Sequence, residues 1–131
     1  MQRHHQHAPR LAISLRCVLI AHTIGLFAQS ALAGEFLSGT DGVVKFHEWA
    51  AWIILAVCAT QIAIVALALL SGTASLWLLI GTVLIFLAEV LQTGTGYGRF
   101  LRVHLPLGAV VFAAVSWQMI SLFRRSSGSK Q

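Results

Sequence analysis

The sequence predicts an all-α membrane protein: four transmembrane helices in an up-down-up-down bundle, built from two pseudo-symmetric helical hairpins. Three observations carry this. The 131 residues are 57% hydrophobic and 10% charged, where an ordinary soluble domain carries about 25% charged residues. Four apolar stretches, at about 12–33, 46–69, 75–93 and 103–123, each reach the roughly 20 residues that cross the hydrocarbon layer. The polar segments between them are short, which makes successive helices antiparallel.

The first stretch follows the basic MQRHHQHAPR and superficially resembles a secretory signal, with ALAG at 31–34 in the place of a cleavage site. Its apolar core is too long for a signal and contains His22 and Gln29, so it reads as a retained span. The second opens with FHEWAAW, where Glu48 beside His47 reads as solvated at the interface. Glu89 and Gln92 lie towards the end of the third. The glycines of LQTGTGYGRF then let the chain turn at the surface. This segment lacks the ending and the strand-loop-helix context of a phosphate-binding loop. Pro106 fits the first turn of the fourth span, where a missing N–H costs little. Residues 1–11, with His4, His5 and His7, and residues 124–131 read as disordered tails.

Nine Lys and Arg against four Asp and Glu give a net charge of +5. These cations sit in the polar gaps between apolar runs, which excludes a nucleic-acid-binding face. Arg3, Arg10, Arg16, Arg124, Arg125 and Lys130 fall on one side, and Lys45, Arg99 and Arg102 on the other. By the positive-inside rule both termini are cytoplasmic, in a bacterial inner membrane. Trp49, Trp52 and Tyr97 then mark the outer interface and Trp77 the inner one. Cys17 and Cys58 lie inside apolar runs without CxxC spacing, and read as reduced packing residues rather than a disulfide or zinc knuckle.

The second and fourth spans superpose at a shift of 57 positions. FHEWAAWIILAVCATQ faces VHLPLGAVVFAAVSWQ, matching His47 with His104, Ala56 with Ala113 and Gln61 with Gln118, with small Ala51 opposite Gly108. AGEFL at 33–37 likewise resembles YGRFL at 97–101 in a register seven residues different, and each follows a glutamine, Gln29 or Gln92. Such a repeat implies two hairpins related by a two-fold axis along the membrane normal. His47 and His104 then share one depth on diagonal helices, the arrangement in which two imidazoles take a haem iron from opposite faces. Ala51 and Gly108, each at i+4, leave room for a macrocycle on the same helix face. Arg99 and Arg102 stand where they would pair with its propionates.

An ionisable side chain inside a span faces the bundle interior and marks a site. Glu89 is therefore expected at the depth of His47 and His104, and with Gln29 and Gln92 it would orient a ligating imidazole or relay a proton. His22 shares a face with Gln29 but has no counterpart in the third span, so it reads as a hydrogen-bonded interior residue or accessory proton group. One unpaired histidine makes a second di-histidine haem improbable.

Two resemblances follow from these residues. LAG, FLSG, the FHEWAAW histidine, LQTGTGYGRF and VHLPLG resemble uncharacterised small four-helix bacterial integral membrane proteins. More distantly, one histidine opening span two and another opening span four resemble half of haem A synthase, with His47 and His104 at its ligand positions. That family's glutamate before the span-two histidine has no match here, since Glu48 follows His47. The resemblance thus implies haem b binding rather than haem A synthesis. The functional expectation is a b-type haem protein of the bilayer, passing electrons with a quinone or a membrane-bound redox partner. The alternatives are a cofactor-free structural or regulatory membrane protein and a small proton-coupled carrier subunit using Glu89 and His22.

Overall fold

A computed structural model describes residues 3–128 of the chain, with side chains described from 10 to 124. Four α-helices follow one another: α1 (Arg3–Leu37), α2 (Val43–Leu70), α3 (Leu76–Tyr97) and α4 (Leu101–Gly128). Each is long and apolar enough to cross a membrane. They pack as a ring, α1 on α2, α2 on α3, α3 on α4 and α4 on α1, while diagonal helices do not touch backbone to backbone. The α1–α2 and α3–α4 loops lie at one end, here called the loop end. Both termini and the α2–α3 loop lie at the other.

The helices exceed the sequence-predicted spans because polar residues continue them beyond the apolar core. The segment expected as an N-terminal tail is helical from Arg3, and the C-terminal one remains helical to Gly128. The side chains of His4, His5 and His7 lie outside those described. Gly94 and Gly96, expected in a turn, belong to α3. Glycine is used here for close approach: a Cβ on Gly96 would stand 2.9 Å from Cε1 of His104. Pro106 sits in the second turn of α4 rather than the first, because that helix already begins at Leu101. Without an N–H it returns no hydrogen bond to the Arg102 carbonyl.

Three helices end in the same way, with an i→i−5 backbone bond closed over a left-handed residue, the Schellman motif. The bonds are Thr40 N to Glu35 O, Thr73 N to Ala68 O and Phe100 N to Thr95 O. The left-handed positions are Gly39, Gly72 and Arg99, with φ of 89°, 73° and 56°. The third position thus places an arginine where the other two use glycine.

The outward faces are those of a membrane protein. Trp49, Trp77 and Trp117 are 72%, 80% and 65% exposed, and the Trp52 indole N–H donates to the Tyr97 hydroxyl at 3.2 Å. Trp49, Trp52 and Tyr97 girdle the loop end, and Trp77 and Trp117 the opposite end. Arg16 stacks its guanidinium 5.5 Å from the Phe123 ring centroid near the termini.

The core is narrow and its register follows the repeat. Ile54 and Val111 are both buried, as are Cys58 and Val115, each pair separated by the 57 positions that also part Gln61 from Gln118. In the other two helices Leu19 and Thr82, His22 and Ile85, and Leu26 and Glu89 are buried, at the offset of 63 that relates Gln29 to Gln92. Gly25 lets α1 close on α2, since a Cβ there would meet Cγ1 of Ile54 at 3.1 Å.

Candidate functional site

Two polar layers interrupt the apolar core. The upper layer, at the loop end, holds His47 of α2 and His104 of α4. These belong to diagonal helices, yet their rings meet with centroids 6.1 Å apart and planes inclined by 64°. The Nδ1–H of His104 donates to the Gln92 carbonyl at 2.8 Å, which points the other ring nitrogen, with its lone pair, away from that bond. Gln29 Nε2 donates to the backbone carbonyl of His47 at 2.9 Å, tying α1 to the start of α2.

This layer contains buried polar atoms without partners among the described residues: Nδ1 of His47, Oε1 of Gln29 and Oε1 of Gln92. Orphaned buried atoms are uncommon in native structures and ask for an explanation. The space over Gly108, expected to receive a macrocycle, is taken by the Gln92 amide, whose Nε2 stands 2.6 Å from where a Cβ would be. Ala51 is half-buried on the same face of α2 as His47. Arg99 and Arg102 are exposed at the rim and make no ion pair among the described residues.

The lower layer meets α2 at Gln61, fourteen residues from His47, about 21 Å along the helix at 1.5 Å per residue. Here all four helices contribute to one chain of hydrogen bonds. His22 Nε2 meets Glu89 Oε1 at 2.6 Å, and His22 Nδ1 meets Gln61 Oε1 at 2.8 Å. Gln61 Nε2 donates to Gln118 Oε1 at 3.1 Å, Gln118 Nε2 donates to Thr82 Oγ1 at 3.4 Å, and Thr82 donates to the Leu78 carbonyl at 2.8 Å. His22, Gln61, Thr82 and Glu89 are all buried.

Reading this chain backwards fixes its protons. Thr82 spends its hydrogen on a carbonyl, so it accepts from Gln118; Gln118 accepts from Gln61; and the oxygen of Gln61 faces His22 as an acceptor. His22 Nδ1 therefore carries a hydrogen. A single further proton lies in the short Nε2–Oε1 contact, shared between imidazole and carboxylate. Either placement leaves the pair neutral overall, the condition that a hydrocarbon environment favours.

The sequence placed Glu89 beside His47 and His104; the structure pairs it with His22 instead, in the layer below. The reason is geometric. α3 extends to Tyr97 rather than 93, which brings the Gln92 carbonyl to His104 and leaves Glu89, three residues further from the loop end, to reach down to His22. His22 is the hydrogen-bonded interior residue that was expected. Gln61 and Gln118 entered the sequence reading only as a repeat match, and Thr82 not at all. Their signal was the polar character of positions on the buried faces of otherwise apolar helices. Cys58 was read as packing, yet its sulfur joins a ligand atom of His22 and one of Glu89 in a buried group, all within 4.8 Å of one another.

No family model, curated protein or solved structure matches this chain.

Proposed function

We propose that the protein is a b-type haem-binding membrane protein with His47 and His104 as axial ligands. The meeting of these two rings across the bundle diagonal carries the reading. Two imidazoles bound to one metal at about 2.0–2.1 Å, with each nitrogen about 1.1 Å from its ring centre, place the centroids about 6.3 Å apart. The observed separation is 6.1 Å. The backbone carbonyl holding Nδ1–H of His104 is the outer partner that metal-ligating histidines commonly use. The unpartnered atoms of His47, Gln29 and Gln92 are consistent with a missing group at this level. Binding requires the Gln92 amide to swing off Gly108, and it leaves Arg99 and Arg102 at the rim for the propionates. Haem would supply one-electron chemistry, with a quinone or membrane-bound enzyme as partner. The excess of Arg at the termini end supports a cytoplasmic position for that end, in a protein of a bacterial inner membrane.

The test is the spectrum of protein purified with haem supplied. A low-spin di-histidine spectrum at about one haem per chain is expected. His47→Ala and His104→Ala should each abolish it, while His22→Gln should keep it. Protein that remains colourless after reconstitution, or a spectrum that survives loss of either axial residue, refutes the proposal. A cofactor-free structural role is the second reading, favoured by one observation: the lower layer draws hydrogen-bonding side chains from all four helices.

A further inference from the structure

We infer that the lower layer is a binding site for a divalent metal ion of the zinc class, held by His22, Cys58 and Glu89. The three residues come from α1, α2 and α3, are buried, and hold their ligand atoms within 4.8 Å of one another. Tetrahedral coordination with metal–N and metal–O near 2.0–2.2 Å and metal–S near 2.3 Å asks for ligand atoms about 3.2–3.8 Å apart. Reaching this spacing takes Nε2 and Oε1 opening from 2.6 Å while the sulfur closes. The inference stands independently of haem in the upper layer.

Two further observations point to a ligand. Oε2 of Glu89 is buried without a hydrogen-bond partner, in a side chain only 4% exposed. A carboxylate oxygen left unmet at this depth is costly, and a cation satisfies it. The hydrogen-bond chain through Gln61, Gln118 and Thr82 also keeps the proton of His22 on Nδ1, so its lone pair, or the shared proton it holds, is on Nε2, the atom that faces Glu89. A carbonyl-type partner on the second nitrogen is how proteins orient a metal-binding imidazole, and here Gln61 provides it.

Charge balance selects the ion. Without an ion the layer is neutral, with one proton shared by His22 and Glu89 and one on the Cys58 thiol. A divalent ion displaces both: Nε2 binds through its lone pair, Glu89 as carboxylate and Cys58 as thiolate. Two negative ligands cancel the charge of the ion, and two protons leave. The layer is thus neutral before and after, so binding places no net charge in the hydrocarbon. The fourth helix supplies Gln118, whose hydrogen bond holds Gln61 in place. The mixed thiolate, imidazole and carboxylate set suits zinc or cobalt over magnesium or calcium.

The experiment uses the full chain in detergent without haem, with His4, His5, His7 and His104 changed to Ala and Cys17 to Ser, so that neither the N-terminal histidines, the His47–His104 pair nor another thiol competes. Equilibrium dialysis with Zn2+ should give one ion per chain, and weakly buffered titration should release two protons per ion. Co2+ should produce a thiolate charge-transfer band. Cys58→Val, which installs the residue already present at the two-fold equivalent Val115, should abolish that band and stoichiometric binding while the helical circular dichroism persists. Gln61→Leu should weaken binding by about 10–100-fold. Absence of binding, release of other than two protons, or binding unaffected by Cys58→Val would overturn the inference. None of these outcomes depends on whether the upper layer takes haem.

Discussion

Removing His22 alone should be far more damaging than removing it together with Glu89. His22→Leu deletes two hydrogen bonds, of 2.8 and 2.6 Å. It strands Gln61 Oε1 and leaves both oxygens of Glu89 without partners. A buried orphan costs about 1–3 kcal/mol, and breaking a buried ion pair from one side costs about 3–5 kcal/mol. Hydrogen bonds inside membranes average nearer 0.6 kcal/mol, because the unfolded chain also finds partners in the bilayer. The lower end of the soluble range is therefore appropriate, and His22→Leu should destabilise by about 3 kcal/mol. Glu89→Leu strands only one imidazole nitrogen and should cost about 2 kcal/mol. The double variant leaves Gln61 Oε1 as the one new orphan and should cost no more than about 2 kcal/mol, a coupling of at least about 3 kcal/mol. Unfolding in mixed detergent and SDS micelles, followed by circular dichroism, measures all corners of this cycle. If the double variant loses the sum of the single losses, the two side chains do not act as a pair and the proton assignment falls with them.

Two further expectations concern the loop end. Arg99→Gly should stabilise the haem-free protein by about 1 kcal/mol, because φ of 56° burdens any residue with a Cβ; Arg99→Ala should give no such gain, and equal effects from Gly and Ala would mean that the left-handed residue is unstrained. Cysteines introduced at Ser38 and Arg99, both exposed in loops, should react with an impermeant reagent on intact cells in a background lacking Cys17, while one at Thr73 should not. Labelling at Thr73 alone would invert the orientation.

The spans were legible because a 20-residue apolar stretch has few alternatives to a membrane helix. The diagonal meeting of His47 with His104 was legible for a subtler reason: the 57-residue repeat matches equivalent residues, and a two-fold axis brings equivalent residues face to face. Gln61 and Gln118 follow the same rule, although the sequence reading used them only to set the register. What the repeat hides is whatever breaks it. His22 stands where its counterpart is Ile85, and Glu89 where its counterpart is Leu26, so neither acquires a partner by symmetry. Their pairing could have been reached by elimination, since one unmatched base and one unmatched acid in hydrocarbon must neutralise each other. The obstacle was depth: ending the third span at 93 raised Glu89 by about one turn. Cys58 gave no signal of its own, because a thiol in an apolar run is indistinguishable from a small packing residue until its neighbours are placed.

The two-fold relation between hairpins restricts what chemistry its axis can hold. On such an axis like opposes like, while away from it residue i of one half meets residue j of the other and j meets i, as in the isologous interface of a homodimer. Two bases meet at His47 and His104, and two amides at Gln61 and Gln118. A strictly symmetric pair of hairpins would oppose an acid to a base only twice over, with a second base at position 85 and a second acid at position 26, where Ile85 and Leu26 stand. The His22–Glu89 contact occurs once, without a symmetry mate, because the halves differ at these positions. Joining the hairpins in one chain gave each half the freedom to change alone, and a single acid–base pair inside the bundle is what that freedom allowed.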